Sequence, residues 1–254
     1  MATCVVSGSA SGIGAATRDR LESDGHRVIG IDLRDADVEA DLSTTEGREA
    51  AIRSTLEKCE GRIDRLVLSA GVGEMVPLHL VPSVNYFGSI VLLDAFRPAL
   101  CEGENPAVVM LCSNSARLAP FNDTTYVKAL LEGDEAEALR IVDEKQNTFL
   151  AYAGGKLALG IAMRRRAMEW GQAGIRLNAI APGPTDTPLL DSIADDPVRS
   201  EGLRSLPNPL GRHASPSEMA GVIAFLLGPE AAYVHGVILY ADAGIDAALF
   251  PDRF

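Results

Sequence analysis

Short runs of consecutive apolar residues alternate along this chain with longer stretches in which apolar positions recur at helical spacing. The short runs are Thr3–Ser7, Arg27–Asp32, Val38–Asp41, Arg65–Ser69, Ala107–Cys112, Ile175–Ile180 and Gly236–Tyr240. Several are uninterrupted, the pattern of strands covered on both faces of a parallel sheet. The stretches between them have readable ends. Ser43 with Glu46 predicts a capping box opening a helix toward Cys59. Ser215-Pro216 with Glu218 predicts another, closed by Gly228-Pro229. Strand–helix alternation over the whole length predicts right-handed crossovers and an α/β, doubly wound sheet of about seven parallel strands with helices on both faces. With no internal repeat or low-complexity linker, residues 1–254 read as a single domain.

Two segments break the rhythm. A helical insertion spans about residues 114–148; its middle, Thr124 to Gln146, is interrupted at Gly133 and carries six acids against Lys128, Arg140 and Lys145. It reads either as a solvated appendage or as an oligomer contact or pocket wall. The second segment, about 185–210, lacks a continuous apolar pattern and is placed to act as a lid. Its Leu189, Leu190, Ile193, Leu203 and Leu206 either face a ligand or pack the lid's own small helices. If they face a ligand, an apolar cyclic alcohol or ketone fits better than a sugar.

Charge and cysteine usage narrow the function classes. The 254 residues hold 23 Lys+Arg against 35 Asp+Glu, a formal net charge of −12. Nucleic acid and anionic membranes are disfavoured, because phosphate recognition needs a basic stripe. Cys4, Cys59, Cys101 and Cys112 form no Cys-x-x-Cys pair and read as reduced thiols. The opening MATCVVSGSASG lacks the pattern of a signal peptide, and the run Met75–Leu93 is too broken by proline and polar residues to span a membrane. A cytoplasmic location is expected. His26, His79, His213 and His235 have no ligand spacing, so no metal is expected.

The first strand leads directly into Gly8, Ser11, Gly12, Ile13 and Gly14, followed by a helix to about Asp24. Glycines at such a corner let the backbone approach a pyrophosphate seated on the helix N-terminus, a Rossmann-type arrangement. Here they fall as Gly-x-x-x-Gly-x-Gly rather than Gly-x-Gly-x-x-Gly. Asp32, with Leu33 beside it, ends the second strand 18 residues after Gly14. An acid there accepts from ribose hydroxyls and repels a ribose phosphate, which favours NAD over NADP; Arg34 is the counter-argument. Asp41-Leu42 either contacts the adenine or simply ends a strand.

Tyr152 and Lys156 stand four residues apart, on one face of a helix. A cation beside a phenol favours the phenolate, so Tyr152 is a candidate general acid–base for an alcohol or ketone oxygen. A non-catalytic dinucleotide sensor would have no use for this pair.

Taken together, these residues resemble the short-chain dehydrogenase/reductase family over essentially the whole chain. The glycine turn, Asp32, Ser69-Ala70-Gly71, Asn85, Ser113, Tyr152, Lys156 and the run Arg176 to Gly183 occur in the family's order. GIDLRDADVEADLST, VNYFG, LAYAGGK, APGPTDTPLL and YVHG, with the insertion before Tyr152, are most similar to the bacterial 3α-hydroxysteroid dehydrogenase/carbonyl reductase branch. The resemblance implies that Tyr152 exchanges a proton with the substrate oxygen while Ser113 hydrogen-bonds it. It implies that Lys156 binds the nicotinamide ribose and lowers the tyrosine pKa, and that Asn85 holds a water. Ala70 and Gly71, the backbone around Pro182-Gly183, and Thr185 or Thr187 would contact the cofactor. It also implies a steroid substrate, although a terpenoid or aromatic secondary alcohol would suit the same apolar lid, and a homodimer through about 216–227 and 236–240, with Ile223, Phe225, Leu226 and Ile238 available. The chain departs from the pattern at Ser7, Ser69, Gly155 and Asp242-Ala243-Gly244. Ser115, two residues beyond Ser113, would point the same way in a strand.

Overall fold

The computed structural model describes residues 1–194 and 197–253; of 193, 194 and 197–199 it describes the backbone alone. Strands β1 (Thr3–Ser7), β2 (Arg27–Asp32), β3 (Val38–Glu39), β4 (Arg65–Leu68), β5 (Ala107–Leu111), β6 (Arg176–Pro182) and β7 (Ile238–Ala241) form one parallel sheet. Their order is β3-β2-β1-β4-β5-β6-β7. The winding reverses between β1 and β4, which pair side by side, so a crevice opens at their carboxyl ends.

Successive strand residues face opposite layers. Val5, Leu66, Val108 and Met110 enter one core, and Cys4, Val6, Val67 and Val109 enter the other. Helices α1 (Gly12–Ser23) and α10 (Pro216–Leu227) cover the second face through Leu21, Met219, Ile223 and Leu226. The first face is covered by α2 (Thr45–Lys58), the short α3 (Leu80–Pro82), α4 (Ser89–Cys101) and α7 (Gly155–Gln172). At the amino ends of the strands, Arg27, Arg65 and Arg176 donate to the carbonyls of Lys58, Asn105 and Leu226. These interactions close that end and leave the carboxyl end for ligands.

Several boundaries differ from expectation for local reasons. β3 stops at Glu39 rather than Asp41, because Asp41 starts a turn in which Ser43 N donates to its carboxylate and Thr44 N to its carbonyl. That turn takes Ser43 out of the capping position, and Thr44 caps α2 instead by accepting from Gly47 N at 3.0 Å. The second capping box, Ser215 with Glu218, forms as expected. β6 runs on to Pro182 because its ladder with β7 continues to Pro182 opposite Ala241.

The insertion folds as α5 (Thr125–Glu132) and α6 (Glu135–Lys145), divided at Gly133, whose φ of 78° ends α5 in a left-handed cap. It is more than a solvated appendage. Tyr126, Val127, Leu130, Ala138, Ile141 and Val142 join the first core. Apart from Glu135, its acids face outward, where Arg140 pairs with Glu137 and Glu144. The lid forms α8 (Pro188–Ala194) and α9 (Pro197–Ser205), and a short α11 (Ile245–Leu249) ends the chain. Among the described residues, no helix is long and apolar enough to cross a membrane.

One buried cation ties the insertion to α2 and the turns beside it. Arg48, on α2 and 4% exposed, donates to both oxygens of Glu135 at 2.7 Å and to the carbonyls of Leu42 and Ser83. Arg48→Met removes those donors while the acceptors stay packed. It is expected to lower unfolding stability by about 2–4 kcal/mol, read from urea denaturation.

Candidate active site

The glycine turn forms because β1 and β4 come too close for side chains. Gly8 has φ +73°, and a Cβ there would lie 2.7 Å from Ala70 Cα; one at Gly14 would drive into the carbonyl oxygen of Gly8. Ser69 fills the space beside them: its backbone N–H and its hydroxyl both donate to Ser7 O. The N-cap of α1, Ser11, makes no side-chain capping bond, and no acid lies in the first turn. The positive end of α1 is therefore not compensated by its own cap or first turn. Asp32, at the end of β2, accepts from Ala10 N at 2.9 Å and Leu33 N at 2.7 Å. A bare helix N-terminus beside a glycine cradle, with a carboxylate one strand away, fits a dinucleotide.

The second cluster sits where β5 ends. Ser113 caps a short 3-10 turn, Asn114–Arg117, and its hydroxyl oxygen accepts from Ser115 N at 3.2 Å and Ser115 Oγ at 2.9 Å. Tyr152 lies in a π-helical turn, Leu150–Gly154, that leads into α7. The Ser113 hydroxyl lies near enough to its phenol to favour the ionised form, and Ser115 lines the same cavity beside it. Lys156 Nζ donates to the carbonyl of Leu111 at 2.7 Å and lies 6.0 Å from the Tyr152 ring centroid.

Burial dominates the electrostatics here. The Tyr152 phenol is pushed up to about 12, first by desolvation and further by the charge of Glu74, while the Ser113 bond pulls it down. Lys156 is pushed down to about 8 by desolvation of its ammonium. The same burial that brings the pair together therefore opposes the expected lowering of the tyrosine pKa.

Asn85 lies in a second π-helical turn, Ser83–Gly88. Its amide oxygen accepts from Val72 N at 2.7 Å, and its Nδ2 donates to Val72 O at 2.9 Å. This fixes the loop after β4, and a Cβ at Gly71 would lie 3.7 Å from Lys156 Nζ. Gly154 has a local cause as well. Tyr126 of the insertion donates to Ala151 O at 3.0 Å, and a Cβ at Gly154 would lie 3.1 Å from its ring.

Gly8, Ser11, Gly12, Ile13, Gly14, Asp32, Leu33, Asp41, Leu42, Ala70, Gly71, Ser113, Tyr152, Lys156, Pro182, Gly183, Thr185 and Thr187 all line one cavity of about 910 Å³. Of the expected site residues, Asn85 alone stands behind its wall. The lid leucines Leu189, Leu190, Leu203 and Leu206 face this cavity; the side chain of Ile193 lies outside the described residues. Sequence reasoning missed Val84, Leu118, Phe149, Thr148 and Glu74 in the lining. The only signal toward Leu118, Thr148 and Phe149 was the insertion that ends beside them. Of the apolar residues expected at a subunit contact, Ile223 and Leu226 are buried in the chain's own core, whereas Phe225 is 45% exposed.

A family model described as short chain dehydrogenase matches residues 2–129, and one described as Enoyl-(Acyl carrier protein) reductase matches residues 137–246. The chain is 51% identical to the 3-alpha-hydroxysteroid dehydrogenase/carbonyl reductase of Comamonas testosteroni over 257 residues, 100% of each chain. It is 34% identical to the coniferyl-alcohol dehydrogenase of a Pseudomonas strain, over 95% of each. Among solved structures it matches the 3-alpha-hydroxysteroid dehydrogenase from Pseudomonas sp. B-0831 complexed with NADH. That match has TM-score 0.97 and 45% identity, covering 99% of this chain and 100% of that one.

The glycine cradle is open to a direct test. Gly14→Ala is expected to weaken dinucleotide binding by at least about a hundredfold, read by calorimetry, because the added methyl meets backbone rather than a movable side chain.

Proposed function

The chain belongs to the short-chain dehydrogenase/reductase family of oxidoreductases, and from that premise we propose an NAD-dependent interconversion of a secondary alcohol and a ketone on an apolar cyclic substrate. The observation that carries this reading is that Ser113, Tyr152 and Lys156 line the same cavity as the glycine cradle and Asp32, with Lys156 Nζ 6.0 Å from the Tyr152 ring centroid. A 3α-hydroxysteroid is the lead substrate, supported by the relative of 51% identity. An aromatic alcohol is the second reading, supported by the coniferyl-alcohol dehydrogenase and by the apolar wall of Leu118, Phe149 and the lid leucines.

Asp32 would accept from the adenosine ribose, and the amino end of α1 would hold the pyrophosphate. Ala70, Gly71, Pro182, Gly183, Thr185 and Thr187 would line the nicotinamide side. When bound, the nicotinamide supplies or accepts the hydride, which leaves the chain's own residues to manage the oxygen and its proton. In ketone reduction, protonated Tyr152 donates to the substrate oxygen, and Ser113 donates a second hydrogen bond to it. Ser115 donates to Ser113 and so turns the Ser113 proton toward the substrate. Lys156, held by Leu111, sets its ammonium against the forming phenolate. Asn85 positions Gly71 and Val72 and does not touch the reacting atoms.

The reading extends to assembly and location. A homodimer through the exposed Phe225 and the free edge of β7 is supported by β7 having a strand neighbour on one side only. The insertion, packed along α7, would obstruct a further contact there. A cytoplasmic location is supported by four free cysteines, three of them buried.

Tyr152→Phe is expected to lower turnover of a cyclic secondary alcohol by about a thousandfold or more, with NAD affinity retained. Turnover equal to wild type would exclude the mechanism. The pH dependence carries a sign. Oxidation needs the phenolate of a group pushed up to about 12, so its kcat/KM is expected to climb from about pH 7 to about pH 10. Ketone reduction needs the phenol and is expected to show no such rise. Light scattering is expected to give twice the chain mass, and a monomer or tetramer would remove the dimer.

A further inference from the structure

Tyr126, the second residue of α5, carries its phenol into the interior and is fully buried. It does not line the cavity, so it meets neither cofactor nor substrate. Its hydroxyl reaches across 25 residues of chain to donate to Ala151 O at 3.0 Å. Burial pushes that phenol well above the usual tyrosine range, so it stays protonated and remains a donor at every working pH.

The carbonyl it meets is not an ordinary helical one. Ala151 directly precedes Tyr152 and lies in the π-helical turn Leu150–Gly154. Such a turn takes one residue more than an α-helical turn and interrupts the regular ladder of backbone bonds. Here the N–H of Gly155 is shared between the carbonyls of Ala151 and Tyr152. Ala151 O therefore has only a share in one backbone donor, and the Tyr126 hydroxyl supplies the bond that remains. The ring backs the same turn. A Cβ at Gly154 would lie 3.1 Å from it, whereas one at Gly155 would meet only the hydroxyl, at 3.5 Å. The turn is thus braced at the residue before Tyr152 and again two residues after it.

We propose that Tyr126 is a positioning residue for the reaction: its hydroxyl holds the π-helical turn and so fixes where the Tyr152 phenol stands against Ser113 and Lys156. The inference rests on the dehydrogenase reading above and adds to it a residue outside the cavity. Without the hydroxyl, Ala151 O keeps only the shared N–H, and the turn is free to rewind toward regular α-helix. Rewinding rotates successive side chains about the helix axis and carries the phenol with them. A misplacement of about 1 Å at reacting atoms costs up to about a hundredfold in rate.

The test is Tyr126→Phe, which keeps the ring and removes only the hydroxyl. With androsterone as the alcohol, the single-turnover rate of NAD reduction is expected to fall at least about tenfold, with KM and NAD affinity within about threefold of wild type. A smaller fall overturns the proposal, and so does an equal loss of NAD affinity, the mark of a generally loosened protein. Should that variant fail to fold, two alanines decide. Gly154→Ala strikes the Tyr126 ring and is expected to slow the same step at least about tenfold, whereas Gly155→Ala is expected to stay within about threefold. Equal effects of the two overturn the proposal. A spectroscopic arm needs no turnover. Isotope-labelled tyrosine phenol carbons are read by NMR, with the Tyr152 resonance assigned by its loss in Tyr152→Phe. In Tyr126→Phe that resonance is expected to shift while that of Tyr233, fully exposed, stays in place. If wild type oxidises no androsterone and the Tyr152 resonance still shifts, the dehydrogenase reading fails for this substrate class and the positioning role stands. A Tyr152 resonance that does not move overturns the positioning role.

Discussion

Lys156 carries its ammonium into the protein interior, where the carbonyl of Leu111 accepts its proton at 2.7 Å. An ammonium in that position is costly unless bonded, so the end of β5 and the first turn of α7 must stay in register. That register sets the reacting groups. Leu111 is two residues from Ser113, and Lys156 is one helical turn from Tyr152. A single buried bond thus joins the two segments that bring hydroxyl and phenol together. Its cost is visible in the depressed Lys156 pKa, about 8. Gly71 faces the same ammonium and its neighbour Val72 is held by Asn85, so the loop after β4 depends on this constraint too.

The insertion extends the constraint outward. Tyr126 packs its ring against Gly154 and donates to Ala151 O, a carbonyl within the π-helical turn that bears Tyr152. A side chain at Gly154 would compete with that ring for space, whereas one at Gly155 would meet only the Tyr126 hydroxyl at an ordinary 3.5 Å. Arg48 anchors the far end of the same unit by joining α2 to Glu135 at the start of α6. A segment that reads as an acidic appendage supports the catalytic turn from outside and contributes wall to the pocket.

What was legible in the chain follows from the range of the interactions involved. β1 and β2 were readable to the residue, because burial on both faces forces an unbroken apolar run. Asp32, Tyr152 and Lys156 were readable because each depends on a strand end or a helical repeat. Ser43 was read as the cap of α2 where Thr44 serves, since the decision lies in a turn made by Asp41 that no spacing rule contains. Ser113 and Ser115 do not alternate along a strand as the spacing suggested, because a 3-10 turn intervenes in which the second serine donates to the first. Glu74 and Thr148 left no trace in the sequence. They are 74 residues apart and meet only because β4 and the exit of the insertion converge on one cavity.

The net charge of −12 acquires meaning only when resolved into places. Much of it lies on outward faces such as that of α6, where it bears on solubility. Inside the cavity, the described lining has three carboxylates and a single lysine, a poor environment for an anion judged by side chains alone. A pyrophosphate would be bound there by the backbone. The bare amino end of α1 supplies the positive potential, and the glycines let the phosphates approach it. An acid there would serve to discriminate rather than to bind, as Asp32 would against a ribose phosphate. On that reading helix dipole and apolar walls hold the ligands, and fixed negative charge decides which ribose is accepted.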